Sequence, residues 1–439
     1  MIVGSGCGPS CADIARRMDA AADRSAPAPG THIELTLPLA KLNPIVAELV
    51  GELEPRVQLP GVRLPLVPAL PGPVATIRSI RLVPFGDGKV GARVGIELSS
   101  LGVSWLLTDA TVGVTAALRD REVQLRLNPA DIVGARIRLP QSQLLAAIDK
   151  ATGKLLKAVP RSRATKLVEL IARNVELHGS RVIRDKLLRP LGDHELVTIS
   201  LPGDIPIDGA EVFTTSKGHP HLRLALHTRL PGARPITEAP AAGQRPRLRL
   251  SAETAMAIAN WGIANGHLPR EFDRKLKPKP GGAYRPVFRW WRKHQNRPLK
   301  IHLYRLRNSC AYLRVGLNPA LEVEGDEVVA RFRDRTVEAT DGPLALELGV
   351  AVANALNLSV DRSRRLAAAI TVGSKGRRLA LRVIRARRVG HDFELEVELA
   401  IASAPRAALE ERSRLDQSGG DEVDEAANPC GLTQVAVQE

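Results

Sequence analysis

"LRLSAETAMAIANWGIANGHLP", residues 248–269, holds two hydrophobic periods in one line. Leu248 and Leu250 alternate with Arg247 and Arg249, the period-two pattern of a half-buried strand. From Ser251 the period lengthens. Ala255, Ile258, Ala259, Gly262 and Ile263 recur at helical spacing and make a narrow stripe of small and aliphatic groups. Ser251, followed by Glu253 and Thr254, reads as an N-cap, and Gly266 as the C-terminal stop. A strand that runs directly into a helix, with a stripe that lets a sheet approach closely, predicts an α+β chain.

The same order recurs at 33–53, where "IELTL" precedes "PLAKLNPIVAELVGEL", and at 135–156, "ARIRLPQSQLLAAIDKATGKLL", continuing past Pro160. Long alternating runs fill the rest. "KVGARVGIEL" sets Val90, Ala92, Val94, Ile96 and Leu98 on one face against Gly91, Arg93, Gly95 and Glu97. "TVGVTAAL", "EVQLRL", "HLRLAL", "LKIHLYRL", "LALELGVAV", "RLALRV" and "DFELEVELAI" repeat the pattern, which predicts antiparallel sheets covered on one side. Pro/Gly/Ala-rich stretches at 8–30 and 231–246 read as linkers, and the acidic end from about 405 as disordered. The expected organisation is an N-terminal linker or truncated signal (1–30), a β-rich domain (31–232), a linker (233–246), a second β-rich domain (247–404) and a tail (405–439).

Of 439 residues, 44% are apolar, enough for real cores. The net charge is +16, and eight acids against two arginines over 410–439 leave +22 on the preceding residues. That surplus favours anionic partners, either nucleic acid or a phospholipid or lipopolysaccharide surface. It concentrates with the rings. Between Arg270 and Arg307 stand six of the chain's thirteen aromatics and thirteen Lys/Arg against two acids. Such a segment can meet a bilayer interface or stack on bases, or it can be a basic loop with some rings turned into the core.

Catalytic and cofactor motifs are absent. "GDGKVG" matches G-x-G-x-x-G, but a strand follows it, so Gly86, Gly88 and Gly91 are expected to serve a hairpin turn. No P-loop and no G-x-S-x-G elbow occur. His219, His221 and His227 share a strand parity but spread too far for one metal ion, and Asp204 and Asp208 read as turn-forming acids. Cys7, Cys11, Cys310 and Cys430 lack metal-site spacing, and Cys310 is expected as a buried thiol. No apolar run is long enough to span a membrane as a helix. "MIVGSGCGPSC" places small residues before Cys7, like the end of a lipoprotein signal whose apolar region is cut short, which makes Cys7 a candidate for lipidation. The chain is read as a binder that is not an enzyme and needs no cofactor or metal.

The segment 248–269 resembles a signature of the tubular lipid-binding superfamily, which includes bactericidal/permeability-increasing protein. Ser251, Asn260, Trp261, Gly266 and Leu268 occupy its places. "IELTLPLAKLNPIVAEL" (33–49) is similar in a looser way, whereas the family's disulfide and the insert at 270–307 have no match. The resemblance implies two tandem units of highly curved antiparallel sheet wrapping long helices. It also implies an apolar tube for acyl chains, with each CH₂ removed from water contributing about 0.8 kcal/mol. Ile258, Ala259, Ile263, Val94, Ile96, Leu346, Leu348, Leu395 and Val397 are then expected to line the tube. Tyr284, Arg285, Phe288, Arg289, Trp290, Trp291, Arg292 and Lys293 are expected to meet an anionic membrane or a headgroup. The implied partner is phospholipid or lipopolysaccharide, in a bacterial cell envelope. Alternatives are an envelope lipoprotein or assembly factor with packed cores, or nucleic-acid binding through 270–307.

Overall fold

The computed structural model describes residues 10–22, 24–53, 56–59, 62–64, 67–70, 72–100, 103–134, 165–166, 169–170, 172–173, 175–201, 205–215, 220–238, 245–273, 278–306, 310–324, 327–342, 369–372 and 377–401. Cys7, His219, Asp204, Leu346, Leu348, the strand-and-helix reading at 135–156 and the acidic tail lie outside them. Helix α1 (Cys11–Ala21) leads to β1 (Ile33–Pro38) and α2 (Leu39–Leu53). Short strands β2 (Arg56–Gln58), β3 (Val62–Leu64) and β4 (Val67–Leu70) precede a meander of β5 (Val74–Phe85), β6 (Lys89–Ser100), β7 (Val103–Arg119) and β8 (Glu122–Val133). A helical run, α3, is built from Val175–Gly179, Ser180–Val182 and Ile183–Leu188. Then come β9 (Glu195–Ser200), β10 (Ile207–Thr215), β11 (His221–Thr228), β12 (Arg247–Ser251) and α4 (Ala252–Ala264). A second meander follows: β13 (Tyr284–Trp290), β14 (Leu299–Arg305), β15 (Ala311–Glu324) and β16 (Glu327–Asp341). The last strands are β17 (Ala369–Val372), β18 (Arg377–Val389) and β19 (Asp392–Ile401).

Thirteen of these strands form one sheet in the order β10-β11-β1-β12-β19-β18-β17-β9-β8-β7-β6-β5-β2, while β13–β16 make a four-stranded sheet in chain order. Every strand pairing among the described residues is antiparallel, so the expected α+β class with antiparallel sheets holds. Twist accumulated over so many strands curls the large sheet. Its edge strand β10 comes back to the β5–β6 hairpin, where the Thr214 N–H donates to the Gly88 carbonyl at 2.6 Å and Thr214 Oγ1 to that of Lys89 at 2.7 Å. Gly86 and Gly88 form that hairpin turn as expected, whereas Gly91 lies inside β6. Gly86 and Gly88 adopt positive φ, which only glycine does without strain.

The concave side encloses an apolar core that joins α2 (Leu42, Val46), β6 (Val94, Ile96), the end of α3 (Leu187, Leu188) and β19 (Val397). The expectation of sheets covered on one side fails at β11, β1, β12 and β19. There the second face is buried too, under residues 25–32 and 230–238, which fall mostly within the expected linkers. Burial without solvent forces the polar positions to pair. Register sets Glu34 opposite Arg249, Arg249 opposite Glu394, and Glu394 opposite Arg387, a ladder of alternating charge over four strands. Arg249, only 2% exposed, lies 3.7 Å from Glu34, 3.7 Å from Glu394 and 3.4 Å from Asp392. Arg223 pairs with Glu34 from the other side, and Arg387 with Glu394. Asp392 also accepts the Thr237 and Glu238 N–H groups at 3.2 and 2.9 Å, and Arg249 donates to the Glu238 carbonyl at 2.6 Å.

Two N-terminal expectations are corrected. Within the expected linker at 8–30, residues 11–21 form α1, capped by Ser10, whose Oγ accepts the Asp13 N–H at 3.1 Å. The Asp13 carboxylate accepts from Ser10 in return, and these hydrogen bonds, with Arg16, hold its pKa below the usual carboxylate range. This is a capping box, and its signal, Ser-x-x-Asp, was present in the sequence. Cys310 is not a thiol: it forms a disulfide with Cys11, 299 residues away. A separation that long leaves no spacing signal. The bridge pins α1 to the β13–β16 sheet, where Ile14 and Ala21 pack with Tyr304, Cys310 and Tyr312.

Candidate functional site: a cleft between α4 and β13

Each residue of the 248–269 signature has a structural task. Ser251 Oγ accepts the Thr254 N–H at 3.1 Å and donates to the Arg234 carbonyl. Gly266 takes positive φ just past the helix end, and Leu268 packs over Gly262. Asn260 clamps the helix to β13, its amide donating to the Phe288 carbonyl at 2.8 Å and accepting the Phe288 N–H at 2.9 Å. Trp261 stacks on His267, centroids 4.8 Å apart, and forms the wall of a cleft.

That cleft has a volume of about 270 Å³, at the lower end of small-molecule sites. Met256, Trp261, Phe288 and Trp290 supply an apolar floor, and Leu230 and Pro231 close one side. Arg24, Glu253 and Arg289 stand among the lining groups. Arg292 ion-pairs with Glu253, which also raises the pKa of the guanidinium, and Arg24 pairs with Asp19 at 2.9 Å, so Arg24, Arg289 and Arg292 stand against Asp19 and Glu253 and the lining is net cationic by one charge. The size admits a headgroup or part of one acyl chain.

The structure divides the expected contact residues. Alternation in β13 places Tyr284, Phe288 and Trp290 on the side facing α4, in register with Arg305, Ile301 and Leu299. Tyr284 and Trp290 are buried there, in a core with Ala252, Leu303, Leu313 and Val315. This corrects the membrane-contact expectation for both: rings held in a core reach neither a bilayer nor a base. Arg285 turns to the opposite side and pairs with Glu271 at 2.8 Å. Lys293 is exposed in the turn after β13. Trp291 is half-buried over two cations, with Arg314 at 4.7 Å and Lys300 at 5.4 Å from its ring centroid. The reason is compositional: in a chain so poor in aromatics, the rings of this segment are the core of its own sheet.

The expected tube-lining set is likewise split. Val94, Ile96 and Val397 lie in the large core, with Leu395 packed against it. Ile258 packs instead with Leu230, Ala233 and Ala257 beside α4, and Ala259 and Ile263 are half-buried on that helix. No single apolar surface joins the set among the described residues. His221 is buried in β11, His227 Nδ1 lies 2.9 Å from the Gly30 carbonyl, and Asp208 pairs with Arg229.

Behind β14, Tyr312 Oη lies 3.1 Å from Nδ1 of His302. Burial, then the nearby Arg314, Arg289 and Lys300 charges, lower the His302 pKa to about 4; Glu338, paired with Lys300 and Arg314, is the acid of the same cluster. The native state therefore resists a proton that the unfolded chain takes up near pH 6.5. Stability is complete above that pH and falls as the pH drops toward 4, by about 3 kcal/mol. His302→Gln should flatten this part of a urea-unfolding pH profile; an unchanged slope between the two pH values would refute the assignment.

No protein-family model matches this chain, and no curated protein matches it. Among solved structures, P47 from Clostridium botulinum A2 and P47 of Clostridium botulinum E1 both superpose with a TM-score of 0.40 at 8% identity. Each comparison covers 84% of this chain, and 97% and 99% of the respective relatives. A lipopolysaccharide binding protein superposes with a TM-score of 0.24 at 10% identity, over 86% of this chain and 100% of the other. Likenesses this remote carry no argument about function.

Proposed function

We propose that the chain is a non-catalytic binder of an anionic amphiphile, phospholipid or lipopolysaccharide, and that the α4–β13 cleft takes the headgroup or the first part of an acyl chain. One observation carries this reading: a floor of two tryptophans, a phenylalanine and a methionine beneath a net cationic lining. Apolar contact and phosphate neutralisation are offered by the same 270 Å³.

We further read the chain as two related units. Strand β1 enters α2 and β12 enters α4 without a loop; the two strands are antiparallel neighbours, and each helix is followed by a four-stranded meander. Asn43 in α2 clamps Leu82 of β5 through both backbone groups, at 3.2 and 2.7 Å, as Asn260 clamps Phe288. This supports tandem curved units that share a sheet. The disulfide is in keeping with an oxidising compartment such as a bacterial envelope.

The test is organic extraction and mass spectrometry of protein purified without detergent. Stoichiometric phospholipid or lipopolysaccharide is expected. Trp261→Ala, which removes the cleft wall, should lower occupancy about tenfold or more. A stable protein without bound amphiphile would return the chain to a structural role.

A further inference from the structure

The described residues from 165 to 188 are helical, and α3 with the residues before it packs on the large core through Ala172, Ile183, Leu187 and Leu188. Its outer side is unusual. Leu170 and Leu177 are 53% and 68% exposed, on a helix whose inner side already satisfies its apolar demand. One exposed leucine needs no account. Two of them, seven residues apart, both stand on the solvent side of the run.

Cations bracket both. Lys166 precedes Leu170, Arg173 lies between the leucines, and Arg181 and Arg184 follow Leu177; all four are exposed. Lys186 and Arg189 extend the row. The exposed acids of the segment are Glu169 and Asp185, and Arg189 lies 3.5 Å from the latter. The exposed side thus carries leucines interspersed with cations. A protein interface is anchored by rings in pockets, and this face carries none. Alkyl groups between cations suit the boundary between phosphates and acyl chains.

We propose that this face, centred on Leu170 and Leu177, docks the protein on an anionic membrane surface. The leucines enter the acyl boundary, and Lys166, Arg173, Arg181 and Arg184 meet lipid phosphates. The surface is distinct from the α4–β13 cleft and takes from the lipid reading only the nature of its partner. It also replaces the expected docking role of Tyr284 and Trp290, which are buried.

Flotation of the full chain with vesicles tests this. Vesicles of phosphatidylglycerol and phosphatidylcholine in equal parts should carry the protein up; phosphatidylcholine alone should not, and high salt should release it. The double variant Leu170→Glu/Leu177→Glu should partition about tenfold or more weakly, and Arg173→Gln and Arg181→Gln about fivefold weaker each. The sites are exposed, so unfolding midpoints should be unchanged, and Leu170→Asn/Leu177→Asn serves as a milder pair. Undiminished flotation of a folded leucine variant overturns the proposal, as does flotation indifferent to phosphatidylglycerol. Concentration-dependent self-association that the leucine variants abolish, without vesicle binding, assigns the face to a second copy and overturns it too. Organic extraction of the Leu170→Glu/Leu177→Glu variant should still return the amphiphile of the cleft, so failure of the cleft reading and failure of the docking face are separately visible.

Discussion

Arg249→Met is expected to lower the unfolding free energy by about 3–5 kcal/mol, measured by urea denaturation at neutral pH. Arg249 is the common partner of three carboxylates, Glu34, Glu394 and Asp392, all buried between the large sheet and residues 230–238. Deleting it leaves acids that water cannot reach. Arg223 and Arg387 still hold the outer sides of Glu34 and Glu394, but among the described residues the hydrogen bonds left to Asp392 are those from the backbone N–H groups of 237 and 238. Burial already raises the Asp392 pKa above its ordinary value. A carboxyl whose native pKa lies above its unfolded one costs stability when both states are ionised, and the cost fades as pH falls through the native pKa. The deficit of Arg249→Met relative to the parent protein should therefore shrink on acidification. A loss below about 1 kcal/mol, the scale of an exposed pair, would show that the ladder is hydrated.

Cys11→Ser should cost about 2–5 kcal/mol and free α1 from the β13–β16 sheet. The bridge closes a span of 299 residues, so it restricts the unfolded chain strongly. Without it, α1 keeps its capping box and the Ile14 and Ala21 contacts. Eleven residues are a marginal helix on their own. Protease cleavage within 11–30 should appear in the variant before any global loss of structure. Reductant should reproduce both effects in the parent protein and add nothing to Cys11→Ser. Equal stability with and without the bridge would show that packing alone holds α1.

Much of the local structure was legible because it depends on neighbours in sequence. The switch of period at Ser251, the cap and the glycine stop fix α4 within a residue or two. Alternation fixes β6, where Val90, Ala92, Val94, Ile96 and Leu98 are all buried as their parity requires. The capping box at Ser10 was legible as well, but lay hidden in a stretch whose composition suggested a linker. The site was less legible. Trp261, expected only as part of the 248–269 signature, and Arg289, expected at a membrane or headgroup, both line the cleft, while Leu230, Pro231 and Arg24 reach it from in or beside segments whose composition suggested connections.

The sequence by itself determined the elements: antiparallel strands with one strongly apolar parity, two helices fed directly by strands, a basic and ring-rich segment, and no catalytic motif. Only the tertiary structure decided which faces see water. Parity says which side chains share a face, not what covers it. So the second face of β1, β12 and β19 was expected in solvent and is instead a buried ladder of charge. Tyr284 and Trp290 of β13 were expected at a membrane and are buried in a core. Cys310 was expected alone and is paired across 299 residues. Each outcome follows from segments far apart in the chain meeting in space, a distance that no local period encodes.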